Sequence, residues 1–373
     1  MASPLPRRPS GRSGGASVRV LHQLMGALHH GDAVGNEALA IRGHLRAAGF
    51  ASEIFAGRVD PRLGSEARPL REWAGEDGSA TACLYHFSPG SPAGRVALAA
   101  AGPLAVVYHN VTPARFFAGW SDESERLAGQ AGGELAELAQ RAAIGLAMST
   151  FSRRDLEAAG FAEARRLPYV HDPRRRAPPS PVFRRLYADG RSHVLAVGRI
   201  APNKRIDDVF RAFALLQRGP LPRSRLLVVG DCGLRTYADA LAALARELRL
   251  RDVVFCGHVE EGELAAAYGL ADVVVSLSEH EGYGVPLVEA MLAGVPVVAY
   301  DAGAVAETMG GAGILLGEKR PELVAGVIES LVCDRGLREA VLAGQERAAA
   351  RVRATDFGAL LRAALAPLLE GGP

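Results

Sequence analysis

The 373-residue sequence has four cysteines, two lysines, no long apolar run and almost no net charge, and each shortage excludes something. Cys83, Cys232, Cys256 and Cys333 are scattered with no C-x-x-C pair. Neither a disulfide framework nor a cysteine metal site is therefore expected, and we read all four as reduced core residues, because free cysteine is mostly buried. No apolar run reaches the roughly 18 residues of a membrane span. A formal net charge of +2 gives the chain no general attraction to nucleic acid or another polyanion. Residues 1–17 are built from Pro, Ser, Gly and Arg without an apolar stretch. They read as a disordered tail and not as a secretory signal, and a cytoplasmic protein is expected.

Hydrophobic residues make up 49% of the chain, enough for two compact cores at roughly 100 to 200 residues per domain. From Val18 onward short apolar runs alternate with amphipathic segments, the pattern of parallel strands joined by crossover helices. In the first half we predict strands from Val18, over 52–56, 80–87, 103–110, 145–149 and 166–170. Asn36 is expected to cap a helix ending at Gly49, and Ser152 one ending at Gly160. The alternation breaks between His171 and Arg191, where four prolines interrupt an arginine-rich stretch suited to an interdomain connection. Beyond it come strands over 193–200, 225–230, 253–257, 273–277 and 296–300, with helices over 206–217, 237–248, 263–268 and 285–293. The expected organisation is α/β: a tail over 1–17, Rossmann-like domains over 18–180 and 181–355, and a helix within 356–373 packing back on the first domain.

Open parallel sheets bind ligands at the carboxyl ends of their strands. After the strand over 273–277, a polar loop carrying Glu279, His280 and Glu281 leads through Gly282-Tyr283-Gly284 into a helix opened by Val285-Pro286. Proline suits the first turn because it lacks an amide that would be unpaired there. The amides of Tyr283, Gly284 and Val285, with the positive end of the helix dipole, suit phosphate oxygens. Glu281 and Glu289 lie at two levels of this segment and could accept hydroxyls from two parts of one ligand. Taken alone, they suit equally well a pair of solvated carboxylates near a helix start. Arg199 and Lys204, in the loop after the strand over 193–200, offer a forked donor and a point charge for a diphosphate.

These residues carry a resemblance. The stretch from Gly198 through Arg199 and Lys204, and SLSEHEGYGVPLVEAMLAGVPVVAY from Ser276, look like the carboxy-terminal half of the family 4 (group 1) retaining glycosyltransferases, whose hallmark is E-x7-E. The likeness spans roughly 194–316. It implies a GT-B architecture, two Rossmann-like domains facing a cleft, and a nucleotide-diphosphate sugar, GDP- or UDP-linked, as donor. It also implies that Glu281 contacts the donor sugar, Glu289 the ribose, and Arg199 and Lys204 the diphosphate, with backbone at His258 and Val259 near the base. Tyr283 stands where the family more often has Phe, and Ala306 precedes Glu307 where Pro-Glu is common.

In the first half, Gly31 and Gly35 could let donor phosphates or acceptor approach closely, or simply make a turn. His109, at a strand end, could orient a sugar hydroxyl, as the family's histidine there implies, or be a satisfied half-buried residue. By the same resemblance the leaving phosphate would deprotonate the acceptor, a hydroxyl of a glycan, glycolipid or small molecule. A lipid-linked acceptor would bring the protein against the inner membrane face. No two aspartates are separated by one residue, so the D-x-D metal device is absent and no metal is expected. A pyridoxal cofactor would need a Schiff-base lysine, for which Lys204 and Lys319 are the only candidates. No cofactor is expected.

Overall fold

The computed structural model describes residues 20–171 and 177–370, so the tail over 1–17 and Arg174 to Arg176 lie outside the described residues. Two parallel sheets account for the apolar runs. The first holds β1 (Val20–Leu28), β2 (Ile54–Val59), β3 (Arg68–Pro69), β4 (Thr81–His86), β5 (Leu104–Tyr108), β6 (Ile144–Ala147) and β7 (Ala164–Arg166), in the order 3-2-1-4-5-6-7. The second holds β8 (Ser192–Val197), β9 (Ser224–Val229), β10 (Val253–Gly257), β11 (Val273–Ser276), β12 (Val297–Tyr300) and β13 (Ile314–Leu316), in the order 10-9-8-11-12-13. Every pairing is parallel.

Alternate side chains of a strand point to opposite faces, so a sheet covered on both faces needs continuously apolar strands. β5 shows this directly. Leu104, Val106 and Tyr108 pack with Tyr85, Leu135 and Leu138 on one face, while Ala105 and Val107 pack with Ile41 and Leu45 on the other. In the second sheet Val194 and Ala196 meet Phe210 and Phe213, and Leu195 meets Leu287 and Met291. The last helix, Phe357–Glu370, leaves the second half and inserts Phe357, Leu361, Leu365 and Leu368 beside Leu21, Leu84 and Ile144 of the first sheet.

The strand order reverses between β1 and β4 in one sheet and between β8 and β11 in the other. At such a switch point crossover connections leave in opposite directions and open a crevice at the carboxyl ends. The loops after β8 and β11, which carry Arg199, Lys204 and Glu281, therefore share one crevice.

Several expectations need correction. The last strand of the first sheet lies over Ala164–Arg166, ahead of the expected 166–170, because Pro168 has no amide to continue the ladder. The helix expected to begin at Asn36 begins one turn earlier: Asp32, in an extended conformation, accepts from the Gly35 amide, and the Asn36 amide is already bonded to the Asp32 carbonyl. Likewise Ser149, not Ser152, caps the helix Thr150–Ala158. Of the cysteines only Cys83 is a buried core residue, its thiol pushed up to about 12 by burial. Cys232 and Cys256 are half-buried and Cys333 is exposed.

The terminal helix gives a test of this packing. Leu365 is fully buried, so Leu365→Ala should cost about 2–5 kcal/mol. Hydrogen exchange should then rise in β1, β4, β5 and β6 while the second sheet keeps its protection. Faster exchange confined to the second sheet would contradict the docking.

Candidate functional site

The crevice is built on close backbone contact. Gly198 and Gly230, both at positive φ, end β8 and β9, and a Cβ on Gly230 would stand 2.0 Å from the Gly198 carbonyl oxygen. Arg199 follows at once. It has no ion-pair partner among the described residues and keeps exposed surface, while loss of water around it lowers its guanidinium pKa from the ordinary value. Arginine starts so far above neutrality that the group stays charged. The chain then makes a turn over Pro202–Lys204 and passes through Arg205 at φ 51°.

That turn is stapled to the loop after β11. Asn203 accepts from the Glu279 amide (2.8 Å) and the Ser278 hydroxyl (3.1 Å) through its carbonyl, and its side chain donates to the His280 carbonyl (3.1 Å). The staple brings Lys204 Nζ to 2.6 Å from Glu281 Oε1. Glu281 is only 8% exposed, and that ammonium is its ion-pair partner among the described residues. On the outer side Arg205 pairs with Glu279 (2.7 Å), Asp207 and Asp208, and Lys319 pairs with Asp208 (2.8 Å) and Glu279.

Beyond Glu281 the backbone must bend sharply into the next helix. Gly284, at φ 91°, forms the N-cap of the helix Val285–Leu292 and offers no side-chain cap; Pro286 has no amide, and the Leu287 amide is taken by the Gly284 carbonyl (3.0 Å). Tyr283 is held by the Thr308 hydroxyl, which donates to its carbonyl at 2.6 Å, and burial pushes its phenol up to about 12. Glu289, a little over one turn in, accepts from the Tyr268 hydroxyl at 2.9 Å. It lines a cavity of about 390 Å³ together with Gly31, Val259, Leu264, Tyr169 and Tyr268. The structure therefore brings together Arg199, Lys204, Glu281, Tyr283, Gly284, Val285, Glu289 and Val259 at one end of the second sheet.

Contacts from the first half close over this loop. Ser149 and Ser152 both donate to the Gly282 carbonyl (2.6 and 3.1 Å), and a Cβ on Gly282 would collide with Asn110. Asn110, at φ 70°, hydrogen-bonds His280. The Glu307 carboxylate crosses to accept from the Thr150 amide (2.8 Å) at the start of the helix Thr150–Ala158, and pairs with Arg166 (3.0 Å). Tyr169 and His171 lie against the Tyr283 ring.

Three residues chosen from the sequence are engaged within the protein. A Cβ on Gly31 would lie 2.8 Å from His258 Cε1, so this glycine and His258 close the crevice rim against each other. Gly35 lies inside the first helix, where a Cβ would meet the His29 carbonyl at 2.6 Å. His109 Nε2 lies 2.9 Å from His86 Nδ1. Its Nδ1 lies 3.2 Å from Glu37 Oε2 but is not aligned for a hydrogen bond with it, so this nitrogen has no hydrogen-bond partner among the described residues. Sequence reading passed over Tyr268, Glu37, Asn110, Ser149 and the crossing of Glu307. Only the serines carried a local signal, as a cap pair three residues apart.

Residues 183–345 match the family model of the glycosyl transferases group 1. The D-inositol 3-phosphate glycosyltransferase of Kineococcus radiotolerans is 39% identical over 188 residues, which cover 46% of this chain and 42% of that protein. The GDP-mannose-dependent alpha-mannosyltransferase of Mycolicibacterium smegmatis is 39% identical over 115 residues, 31% of this chain and 27% of that protein. The chain thus matches less than half the length of these curated relatives. Among solved structures, WaaG, a glycosyltransferase involved in lipopolysaccharide biosynthesis, is similar with a TM-score of 0.71 at 16% identity, covering 95% of this chain and 100% of that one. Anabaena HepE in complex with UDP and glucose gives 0.68 at 20% identity, over 94% and 99%. At these identities the likeness shows the fold: two Rossmann-like domains in the GT-B arrangement.

The Glu307 crossing is open to measurement. Burial raises its carboxyl, but the Thr150 amide and hydroxyl and Arg166 outweigh that and hold it below the usual carboxylate value. Its contribution is therefore present above the unfolded-state pKa and lost as pH falls through the lowered one. Glu307→Ala should cost about 1 kcal/mol at neutral pH, as for a lost helix cap. In urea unfolding the gap from wild type should shrink once pH falls below the ordinary carboxylate range; an unchanged gap there would show that the charge is not what holds the crossing.

Proposed function

We propose that this chain, whose residues 183–345 match the family model of the glycosyl transferases group 1, transfers a hexosyl group from a GDP- or UDP-linked sugar to an acceptor hydroxyl with retention and without a metal. The observation that carries the reading is the Lys204–Glu281 pair, 2.6 Å apart at the switch point, with the Glu289 cavity one helical turn away. At about 390 Å³ that cavity falls within the roughly 300–1,000 Å³ of small-molecule sites. In this reading the base lies near His258 and Val259, and Glu289 accepts from the ribose. Arg199, Lys204 and the amides of Tyr283, Gly284 and Val285 hold the diphosphate.

Glu281 is buried and bound to Lys204, so it positions the sugar and is poorly placed to attack it. An ammonium has three donors, and Lys204 can keep Glu281 while it meets a phosphate oxygen. The bond from the anomeric carbon to the phosphate oxygen breaks as the acceptor oxygen adds on the same face. The acceptor proton passes to the leaving phosphate, and Arg199 and Lys204 stabilise the charge that develops there. The acceptor is a glycan, glycolipid or small molecule. A lipid-linked one fits the helix Pro181–Tyr187, which exposes Val182 and Leu186 beside Arg184 and Arg185 and could rest on an anionic membrane surface.

A panel of GDP- and UDP-sugars, screened by thermal shift in EDTA, tests the reading. One nucleotide class should raise the wild-type midpoint, since a ligand that binds the folded state stabilises it. Glu289→Ala should weaken that binding about tenfold or more, as for a lost hydrogen bond to a charged group. Lys204→Ala should lower turnover by about 100-fold or more. If no nucleotide sugar shifts the wild type, or both variants respond as it does, the donor site is wrong. A change in the sugar without any acceptor would point instead to an epimerase.

A further inference from the structure

Beneath the crevice a line of four buried side chains runs across the first half, and its proton count is fixed by geometry. Gln23 Nε2 donates to the Ala38 carbonyl at 3.0 Å, which turns Gln23 Oε1 toward His86 Nε2 at 2.8 Å. An amide oxygen only accepts, so His86 Nε2 carries the hydrogen. His86 is 1% exposed, and burial, followed by the neighbouring His109, holds its pKa well below the ordinary histidine value. It is therefore neutral and its Nδ1 is bare. His109 Nε2, 2.9 Å away, must then be the donor. What remains is His109 Nδ1, 3.2 Å from Glu37 Oε2.

Glu37 lies on the helix Ala33–Ala47 and is fully buried; among the described residues neither of its oxygens has an aligned N–H or O–H donor, and its one charge contact is His109. A bare Nδ1 facing an ionised carboxylate in a dry interior would set a lone pair against a charge with nothing between them. One proton must reside in the pair. The titratable groups around it are His86 from β4, Asp32 at the start of the same helix, itself beside His29 and His258, and Tyr283 across the crevice.

We propose that Glu37 is a positioning residue of the transferase site: it shares one proton with His109 Nδ1, and that proton fixes the end of β5, from which Asn110 reaches Gly282 and His280 beside Glu281. The role rests on the function proposed above, while the proton's location does not. When the proton leaves, the lone pair and the carboxylate repel, the end of β5 moves off Glu37, and the Asn110 contacts loosen. Activity then falls on the alkaline side. In Glu37→Gln the amide can donate to a bare Nδ1, so the contact survives without a titrating proton.

The test reads ring nitrogens and the carboxyl directly, in unliganded protein labelled with ¹⁵N-histidine and ¹³C-glutamate, from about pH 5 to about pH 9, which spans the roughly pH 5 to 8 over which an ordinary histidine switches. His86 should remain a single Nε2–H tautomer. Below the transition either His109 Nδ1 should be protonated or the Glu37 carboxyl should be neutral, with one event at higher pH removing that proton. A bare Nδ1 beside an ionised Glu37 at the acid end overturns the proposal, and wild-type spectra alone decide this. For the site, wild-type turnover should drop about tenfold per pH unit above that same event, and Glu37→Gln should lose this limb while turning over within about threefold of wild type below it. If the proton is found but Glu37→Gln keeps the alkaline limb, the positioning role is overturned. If no nucleotide sugar binds, the function falls and the proton assignment stands on the spectra.

Discussion

The rest of the site depends on a buried carboxylate that is matched by one ammonium. Glu281 stands at the end of β11 with 8% of its surface exposed, and Lys204, from the loop after β8, meets it at 2.6 Å. Removing both charges from water costs several kcal/mol per ion unless the geometry is well held. The Asn203 turn supplies that hold, because its three hydrogen bonds to Ser278, Glu279 and His280 fix the two loops to each other before any ligand arrives. The outer cluster of Arg205, Lys319, Asp208 and Glu279 braces the same pair of loops from behind. The strand order places the loops side by side, and the polar staple sets their distance.

Glycine makes the second constraint possible. The loop after β11 is pressed from two sides: a Cβ at Gly282 would collide with Asn110 from the first half, and one at Gly303 would lie 2.4 Å from the Glu281 carbonyl. Backbone on backbone leaves no space for a side chain. Several contacts between the halves, Ser149 and Ser152 on Gly282, Asn110 on His280 and Glu307 on Thr150, fall within a few residues of Glu281 or at the adjoining helix Val305–Met309; others, such as Arg62 on Glu260 and Thr236 on the Trp120 carbonyl, lie farther out. Moving the halves apart would therefore disturb the loop that carries Glu281.

How much could be read in advance follows from how far each signal extends along the chain. Strands such as Val253–Gly257 were legible to the residue because an apolar run ending at glycine is a local pattern. Helix starts were displaced by one turn where two cap-forming residues stand three or four apart, as with Asp32 and Asn36 or Ser149 and Ser152. Propensity favours both members of such a pair, and only backbone geometry chooses between them. The residues in and around the Glu281 segment were legible because they occupy one loop and one helix. His109 was not, since its partners Glu37 and His86 are 72 and 23 residues away, and nothing near position 109 announces them.

That difference bears on how the two halves divide recognition. His109 meets His86 through Nε2, while its Nδ1 lies near Glu37 without a hydrogen bond. In the arrangement seen here the first half meets the crevice through Asn110, through the Gly31 rim against His258, and through serines spent on the Gly282 carbonyl. Arg199, Lys204, Glu281 and Glu289, which the second half places at the crevice, come from two loops and one helix of that half. A donor bound there would be held by charge from the second half and enclosed by shape from the first. Discrimination among donors would then rest on the walls around Glu289 and Val259.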